Sequence, residues 1–224
     1  MIVTKIGIPT LHCYDKLLDL CAYLASNVNE LMPIEVTVID NGGCLADDKI
    51  FVSMKNLPIP IRVITPGFNL GVAASWNLLI KELGRCFICN DDVLFSAQDI
   101  ESFLVAATDS PNTVIFNVAD PGNHWSMYFV NRPITWLEMG GFDEKFFPAY
   151  FEDNDAYHRL ELAGLPCKFV ETMDFAHDKS STLRKGNASY LEKHQQTFSQ
   201  NAIYYQQKWG GMPGRETFTK PFGA

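Results

Sequence analysis

The sequence predicts an α/β fold, with a mostly parallel, Rossmann-like central sheet flanked by helices in a single domain. Two observations predict it. Apolar runs of strand length alternate with segments whose apolar residues recur every three or four positions, the strand, helix, strand order that a parallel pair requires. Several of these runs also end in polar residues, as strands do where an open parallel sheet turns its carboxyl ends toward a crevice: Thr10 with His12, Asp40, and Asn90-Asp91-Asp92. The 224 residues, 47% of them apolar, are enough to build a full core.

Taken in order, Lys5 to Thr10 reads as the first strand and Lys16 to Leu24 as a helix with apolar residues three and four apart. Glu35 to Ile39 is a second strand, with Asp40 at its carboxyl end and a turn at Asn41-Gly42-Gly43. Ile59 to Ile64 gives a third. Asn69-Leu70-Gly71 leads into a helix from Val72 to Ile80, whose small residues allow close approach of the helix and of a ligand. Arg85 to Cys89 is a fourth strand, buried, delivering Asn90, Asp91 and Asp92 at its end.

The second half changes character. Val114–Ala119 and Trp125–Val130 are short, aromatic-rich strands with a Pro-Gly turn between them, followed by Trp136 to Glu144 with its Gly140-Gly141 pair. Phe151-Glu152-Asp153-Asn154-Asp155 opens a helix that Asp153 or Asn154 can cap, with Leu160 and Ala163 on its inner face and Gly164 and Pro166 ending it. A strand at Cys167–Glu171 precedes Phe175-Ala176-His177-Asp178. A last helix, 188–208, carries Leu191, His194, Phe198, Ala202 and Tyr205 on one stripe, and the tail after Gly210 reads as coil.

Composition excludes several functions. Eighteen Lys and Arg against 26 Asp and Glu give a net charge of -8, whereas a nucleic-acid footprint is basic and clustered. An anionic ligand on such a chain needs a metal ion to offset repulsion. No apolar run approaches the roughly 18 residues of a membrane span, and the first residues lack a signal-peptide plan, so a soluble, cytoplasmic protein is expected. The six cysteines show no framework; Cys86 and Cys89 are three apart on one strand, point to opposite faces and are expected to be buried thiols rather than a zinc pair. Asn187-Ala188-Ser189 matches a glycosylation acceptor, accidental without a secretory route. No Gly-x-Gly-x-x-Gly follows the first strand and no Gly-Lys-Ser/Thr occurs, which removes the dinucleotide fingerprint and the phosphate loop.

Asp40-Asn41-Gly42-Gly43, Asn69-Leu70-Gly71 with Asn77, Asn90-Asp91-Asp92, Gly140-Gly141-Phe142-Asp143-Glu144, Phe151-Glu152-Asp153-Asn154-Asp155 and Leu160 together resemble family 2 glycosyltransferases of the GT-A fold, especially rhamnosyltransferase-like members. The correspondence runs from about Lys5 to Thr182. It implies a single GT-A domain with a nucleotide-sugar-binding half (1–120), an acceptor-binding and catalytic-base half (121–185) and a C-terminal helix and tail (186–224). The implied activity is inverting transfer of a sugar from a nucleoside diphosphate donor, a UDP- or dTDP-sugar, to a glycan or other hydroxyl acceptor. By position, Thr10, His12 and Asp40 would contact base and ribose, and Asn69 and Gly71 would border the nucleotide. Asp91, beside Asn90, would hold the ribose; Asp92 and His177 would bind Mn2+ or Mg2+ on the diphosphate; Asp153, with Glu152 beside it, falls on the catalytic base. Asn90 stands where many relatives carry the first Asp of an Asp-x-Asp motif.

Each assignment has a plainer counterpart. Asp92 can be a turn residue, Asp153 a helix cap and His177 a structural histidine, while His194 on its stripe reads as core. Trp125, Tyr128 and Trp136 can stack on sugars or simply pack, and Lys179, Arg184 and Lys185 can be a solvated run or a phosphate clamp. An aspartate also starts near pKa 3.9, below the optimum for a base; Glu152 and Asp155 would raise Asp153 and a helix amino terminus would lower it. The alternatives are a sugar-1-phosphate nucleotidyltransferase, for which Leu11 to Asp15 lacks the Gly-rich basic loop, and an inactive nucleotide-sugar-binding module.

Overall fold

The computed structural model describes residues 3–27, 32–47, 49–120, 124–165, 167–178 and 188–224. In the first half, β1 (Thr4–Thr10), α1 (Tyr14–Asn27), β2 (Ile34–Asp40), α2 (Lys49–Lys55), β3 (Ile61–Ile64), α3 (Gly71–Leu83) and β4 (Cys86–Cys89) alternate. There follow β5 (Val93–Leu94), α4 (Ala97–Asp109), β6 (Ile115–Val118), β7 (Met127–Val130), α5 (Pro133–Glu138), α6 (Glu152–Leu162), β8 (Lys168–Val170), β9 (Ala176–His177) and α7 (Ala188–Trp209).

Seven strands form one sheet in the order β3-β2-β1-β4-β7-β6-β8. β1 to β4 are mutually parallel; β7 runs antiparallel to both β4 and β6, and β8 returns parallel to β6. The expected mostly parallel α/β sheet is therefore observed, with β7 reversed. Because both faces are covered, β4 reads Cys-Phe-Ile-Cys without a polar position and is buried throughout. Phe87 and Cys89 face one layer with α1, α2 and α4, while Cys86 and Ile88 face the other with α3, α5 and α6. The two cysteines lie on opposite faces as free thiols, and burial pushes Cys86 up to about 12. A third cluster, Phe146, Phe151, Tyr205 and Trp209, seats α7 on the loop before α6.

Several elements differ from expectation. α4 is absent from the periodicity reading, yet Ser96 and Asp99 form a reciprocal capping box at its start. The strand expected from Trp125 begins at Met127, because His124–Ser126 is a short 3₁₀ turn. Ala163 is the exposed C-cap of α6 rather than an inner-face residue, whereas Leu160 is fully buried. The tail after Gly210 is coil and turns as expected, ending in a 3₁₀ turn at Pro221–Gly223, and it is tied back: the amides of Thr217 and Phe218 both donate to the Trp209 carbonyl at 3.0 Å. The Pro-Gly turn at 121–122, Pro166, the Leu191 side chain and Asn187 lie outside the described residues. No helix among the described residues is long and apolar enough to cross a membrane.

Candidate active site

The carboxyl ends of β1, β2 and β4 meet at one level. Thr10 pairs with Asp40 in register, and its hydroxyl donates to Asp91 Oδ2 at 2.6 Å, joining residues 81 apart. Asp91 is buried, so a charge-assisted bond from Thr10 offsets part of its desolvation. The Asn90 amide donates to the Ser126 carbonyl at 2.9 Å, which fixes where the strand turns out of the sheet. His12 is exposed beside this edge.

Asp40 has partners within its own turn. It is 1% exposed, and its carboxylate accepts from the Tyr14 hydroxyl (2.8 Å) and the amides of Gly43 (3.0 Å) and Leu45 (2.9 Å). Asp40 closes the 40–45 turn from inside.

Asp92 and His177 are brought together by a separate two-stranded ribbon. β5 pairs antiparallel with β9, Val93 opposite His177, and the Asp178 amide donates to the Asp92 carbonyl at 2.9 Å. His177 Nε2 stands 3.1 Å from Asp92 Oδ1, with the two side chains 13% and 8% exposed. That spacing suits adjacent ligands on an octahedral ion with bonds of about 2.1 Å, and carboxylate with imidazole is a donor set such an ion accepts. Among the described residues no group of three or more metal-ligating side chains occurs, so these two would share the ion with phosphate and water oxygens.

The Asn69-Leu70-Gly71 segment is a joint between the halves. Asn69 Oδ1 accepts from the Gly71 amide (2.8 Å), and Asn41 Oδ1 accepts from Leu70 (2.9 Å). Gly71 has φ +76°, and a Cβ there would lie 2.8 Å from both the Phe147 ring and the Pro148 carbonyl oxygen, so its small size is needed for contact with the second half. Asn77 extends the joint: its side chain exchanges two 2.8 Å bonds with the backbone of Phe142 and donates to Glu144 at 2.9 Å.

At α6 the chain turns through two successive left-handed residues, Tyr150 (φ 80°) and Phe151 (φ 73°), a conformation that costs a bulky residue about 1–3 kcal/mol. Phe151 occupies the N-cap position and no side chain caps the helix; neither Asp153 nor Asn154 does. Asp153 sits half-buried in the first turn, its Oδ1 accepting from the neighbouring Asn154 amide (2.8 Å). Burial raises its pKa, against the pull of the Asn154 and Asp153 amides. Glu152 is the more perturbed of the two: burial, then the charge of Asp153, lift it well above the ordinary glutamate range, and among the described residues its Oε2 has no hydrogen-bond partner. Asp155 takes no part in raising Asp153. It is fully buried and accepts from Arg159 (2.8 Å) and Trp209 (2.9 Å), with Lys208 at 2.6 Å.

No family model matches the sequence, and no curated protein matches it significantly. Solved structures do match the fold. A mannosyltransferase of Pyrobaculum calidifontis, in complex with GDP-Man and Mn2+, superposes with a TM-score of 0.58 at 12% identity, over 91% of this chain and 71% of that one. TarS 1-349 of S. aureus with UDP-GlcNAc gives 0.58 at 13% identity over 90% of this chain and 66% of that one; against the longer TarS chain the share is 40%. Glucosyl-3-phosphoglycerate synthase of Mycobacterium tuberculosis, with Mg2+ and UDP, gives 0.56 at 11% identity over 89% and 79%. These likenesses decide the architecture.

The chain has a GT-A fold.

Within the GT-A fold, residues that sequence reasoning passed over hold the site in place. Asp99, fully buried, completes the α4 capping box with one oxygen and accepts from the Met173 amide (2.7 Å) with the other, anchoring the segment that leads to His177. The Ser-x-x-Asp spacing was its available signal. Lys208 pairs with Asp143 (2.7 Å) as well as Asp155, and burial of Asp143 is outweighed by Lys208, the Lys145 amide and Tyr204, which hold that carboxyl below its ordinary range. Tyr128 and Trp136 are fully buried and Trp125 half-buried, all stacked around Phe142, so the first two are core. His194 is not simple core; its Nε2 lies 2.8 Å from the Tyr150 hydroxyl. A cavity of about 440 Å3 lined by Asn77, Lys81, Gly141, Arg159 and Lys208 includes none of the expected site residues. Lys179, Arg184, Lys185 and the Ser180-Ser181-Thr182 run lie outside the described residues.

Proposed function

We propose that this chain is a metal-dependent, inverting glycosyltransferase that moves a hexosyl group from a nucleoside diphosphate sugar, a UDP- or dTDP-sugar, to a hydroxyl of a glycan or other acceptor. The observation that carries the proposal is the meeting of Asp92 with His177, 85 residues apart, beside the buried Thr10–Asp91 pair at the same sheet edge. The structural neighbours add weight, since their complexes hold GDP-Man with Mn2+, UDP-GlcNAc, and UDP with Mg2+. The rhamnosyltransferase-like sugar class rests on the sequence motifs alone.

In this proposal residues 1–120 bind the donor nucleotide, 121–185 bind the acceptor and supply the base, and 186–224 brace the second half. Asp91 holds the ribose; Thr10, His12, Asn69 and Asn90 border the nucleotide, with Asp40 and Gly71 as framework behind them. Asp92 and His177 would hold Mn2+ or Mg2+, whose chemistry when bound is Lewis-acid neutralisation of a leaving diphosphate. Asp153 accepts the acceptor hydroxyl's proton as that oxygen attacks the anomeric carbon. The carbon–oxygen bond to the diphosphate breaks on the opposite side and its electron pair departs with the phosphate, which inverts the centre. A carboxyl raised by burial suits a base better than a solvated aspartate, and Glu152, lifted well above its ordinary range, gives up its proton less readily than an unburied glutamate would.

The test is a thermal-shift panel of UDP, dTDP, GDP, UDP-GlcNAc and GDP-mannose, each with and without Mn2+. A nucleoside diphosphate that raises the melting temperature only when Mn2+ is present is expected. A chain indifferent to every nucleotide in both conditions contradicts the proposal.

A further inference from the structure

The left-handed corner ahead of Asp153 is held from two sides, by Glu152 of its own helix and by α7. The N-cap residue Phe151 makes no side-chain cap bond; within the first turn the Glu152 carboxylate accepts from the Tyr150 and Glu152 amides. The contacts to the carbonyl groups and rings of the corner come from α7. Asn201, buried at 5% exposure, donates its side-chain amide to the carbonyls of Ala149 (2.9 Å) and Tyr150 (3.3 Å), the two peptide groups that enter the corner. His194 meets the Tyr150 hydroxyl, and Phe151 packs on Phe198 and Tyr205 with ring centroids 5.2 and 5.6 Å apart. Two consecutive non-glycine residues persist at positive φ only where their surroundings over-determine them. Relaxing either one to negative φ redirects the chain two residues before Asp153.

We propose that Asn201 is a positioning residue for Asp153, acting through the Tyr150–Phe151 corner that it clamps from α7. The proposal rests on the reading of Asp153 as the base. It assigns the C-terminal helix a part in turnover although none of the described side chains of that helix stands among those of the donor crevice. A side-chain amide suits this place because it presents a donor to two carbonyl oxygens without introducing a charge into a buried seam.

The test compares Asn201→Ala and the milder Asn201→Ser with the unsubstituted full chain, using whichever of UDP-GlcNAc, GDP-mannose or UDP-glucose it hydrolyses fastest with Mn2+. Expected results are a kcat at least tenfold lower for Asn201→Ala, a smaller loss for Asn201→Ser, an unchanged KM, and unchanged calorimetric affinity for UDP. In an Asp153→Asn background, Asn201→Ala is expected to remove nothing further, since the two residues act as one unit. A second measurement needs no donor: carboxyl NMR of Asp153, whose titration midpoint is expected to fall toward the ordinary aspartate value in Asn201→Ala as the corner opens to water. Normal kcat in a folded Asn201→Ala beside a dead Asp153→Asn overturns this proposal alone, as does an unmoved Asp153 midpoint. Normal turnover by Asp153→Asn instead overturns the assignment of the base.

Discussion

His177 Nε2 lies 3.1 Å from Asp92 Oδ1, and the two are locked by the β5–β9 ribbon rather than by the main sheet. If the pair holds a cation, removing the imidazole leaves the carboxylate in place and weakens the ion without abolishing it. His177→Ala is therefore expected to lower Mn2+-dependent affinity for UDP by about 10–100-fold. Calorimetry in Mn2+ measures the loss, and titration in EDTA should show the variant and parent equally weak.

Asp153→Asn is expected to retain nucleotide binding and to lose about 10²–10⁴-fold in kcat. The pH profile follows from the sign of the shift. A base works ionised, so activity falls as pH drops through the Asp153 pKa, and burial places that limb above the ordinary aspartate value. Steady-state rates across pH should show an acidic limb in the parent that the asparagine variant lacks.

Glu152 makes the opposite prediction for stability. Its folded pKa is raised, so the native state holds a proton that the unfolded chain has released, and stability declines as pH rises from the ordinary glutamate value through the raised one. The slope approaches about 1.4 kcal/mol per pH unit for one proton. Glu152→Gln keeps the neutral shape and removes this slope. Denaturant melts between about pH 5 and about pH 7 should show the parent losing stability relative to the variant; parallel curves contradict the neutral Glu152.

Lys208→Met removes a buried cation from between Asp143 and Asp155 while preserving much of the side-chain volume. Breaking such a pair by deleting one partner costs about 3–5 kcal/mol. Arg159 and Trp209 still serve Asp155, so Asp143 carries the larger penalty and its depressed pKa should move up. Urea unfolding and a carboxyl titration check both parts.

The strands were legible because a sheet covered on both faces leaves continuous apolar runs, as at Cys86–Cys89, and because their polar ends, Thr10 and Asp91, coincide with chain reversals. Asp92 and His177 were recognisable as residue types in a pattern, but not their contact, which depends on a ribbon of two-residue strands too short to leave a period. The internal partners of Asp40 were not legible either: a carboxylate at a strand end looks the same in sequence whether or not it also satisfies Tyr14 and two turn amides. The Tyr150–Phe151 corner was hidden because left-handed conformation usually announces itself through glycine, and here tertiary contacts impose it on two aromatic residues. The role of Asn201 was invisible for the same reason, being one polar residue on a helix otherwise read for its apolar stripe.

The most direct measurement is calorimetric binding of UDP to Asp92→Ala in the presence and absence of Mn2+. The parent is expected to bind UDP tightly only with Mn2+, and Asp92→Ala to lose this dependence, binding weakly in both conditions while its fold is unchanged. Mn2+-dependent binding of undiminished affinity in Asp92→Ala would contradict it.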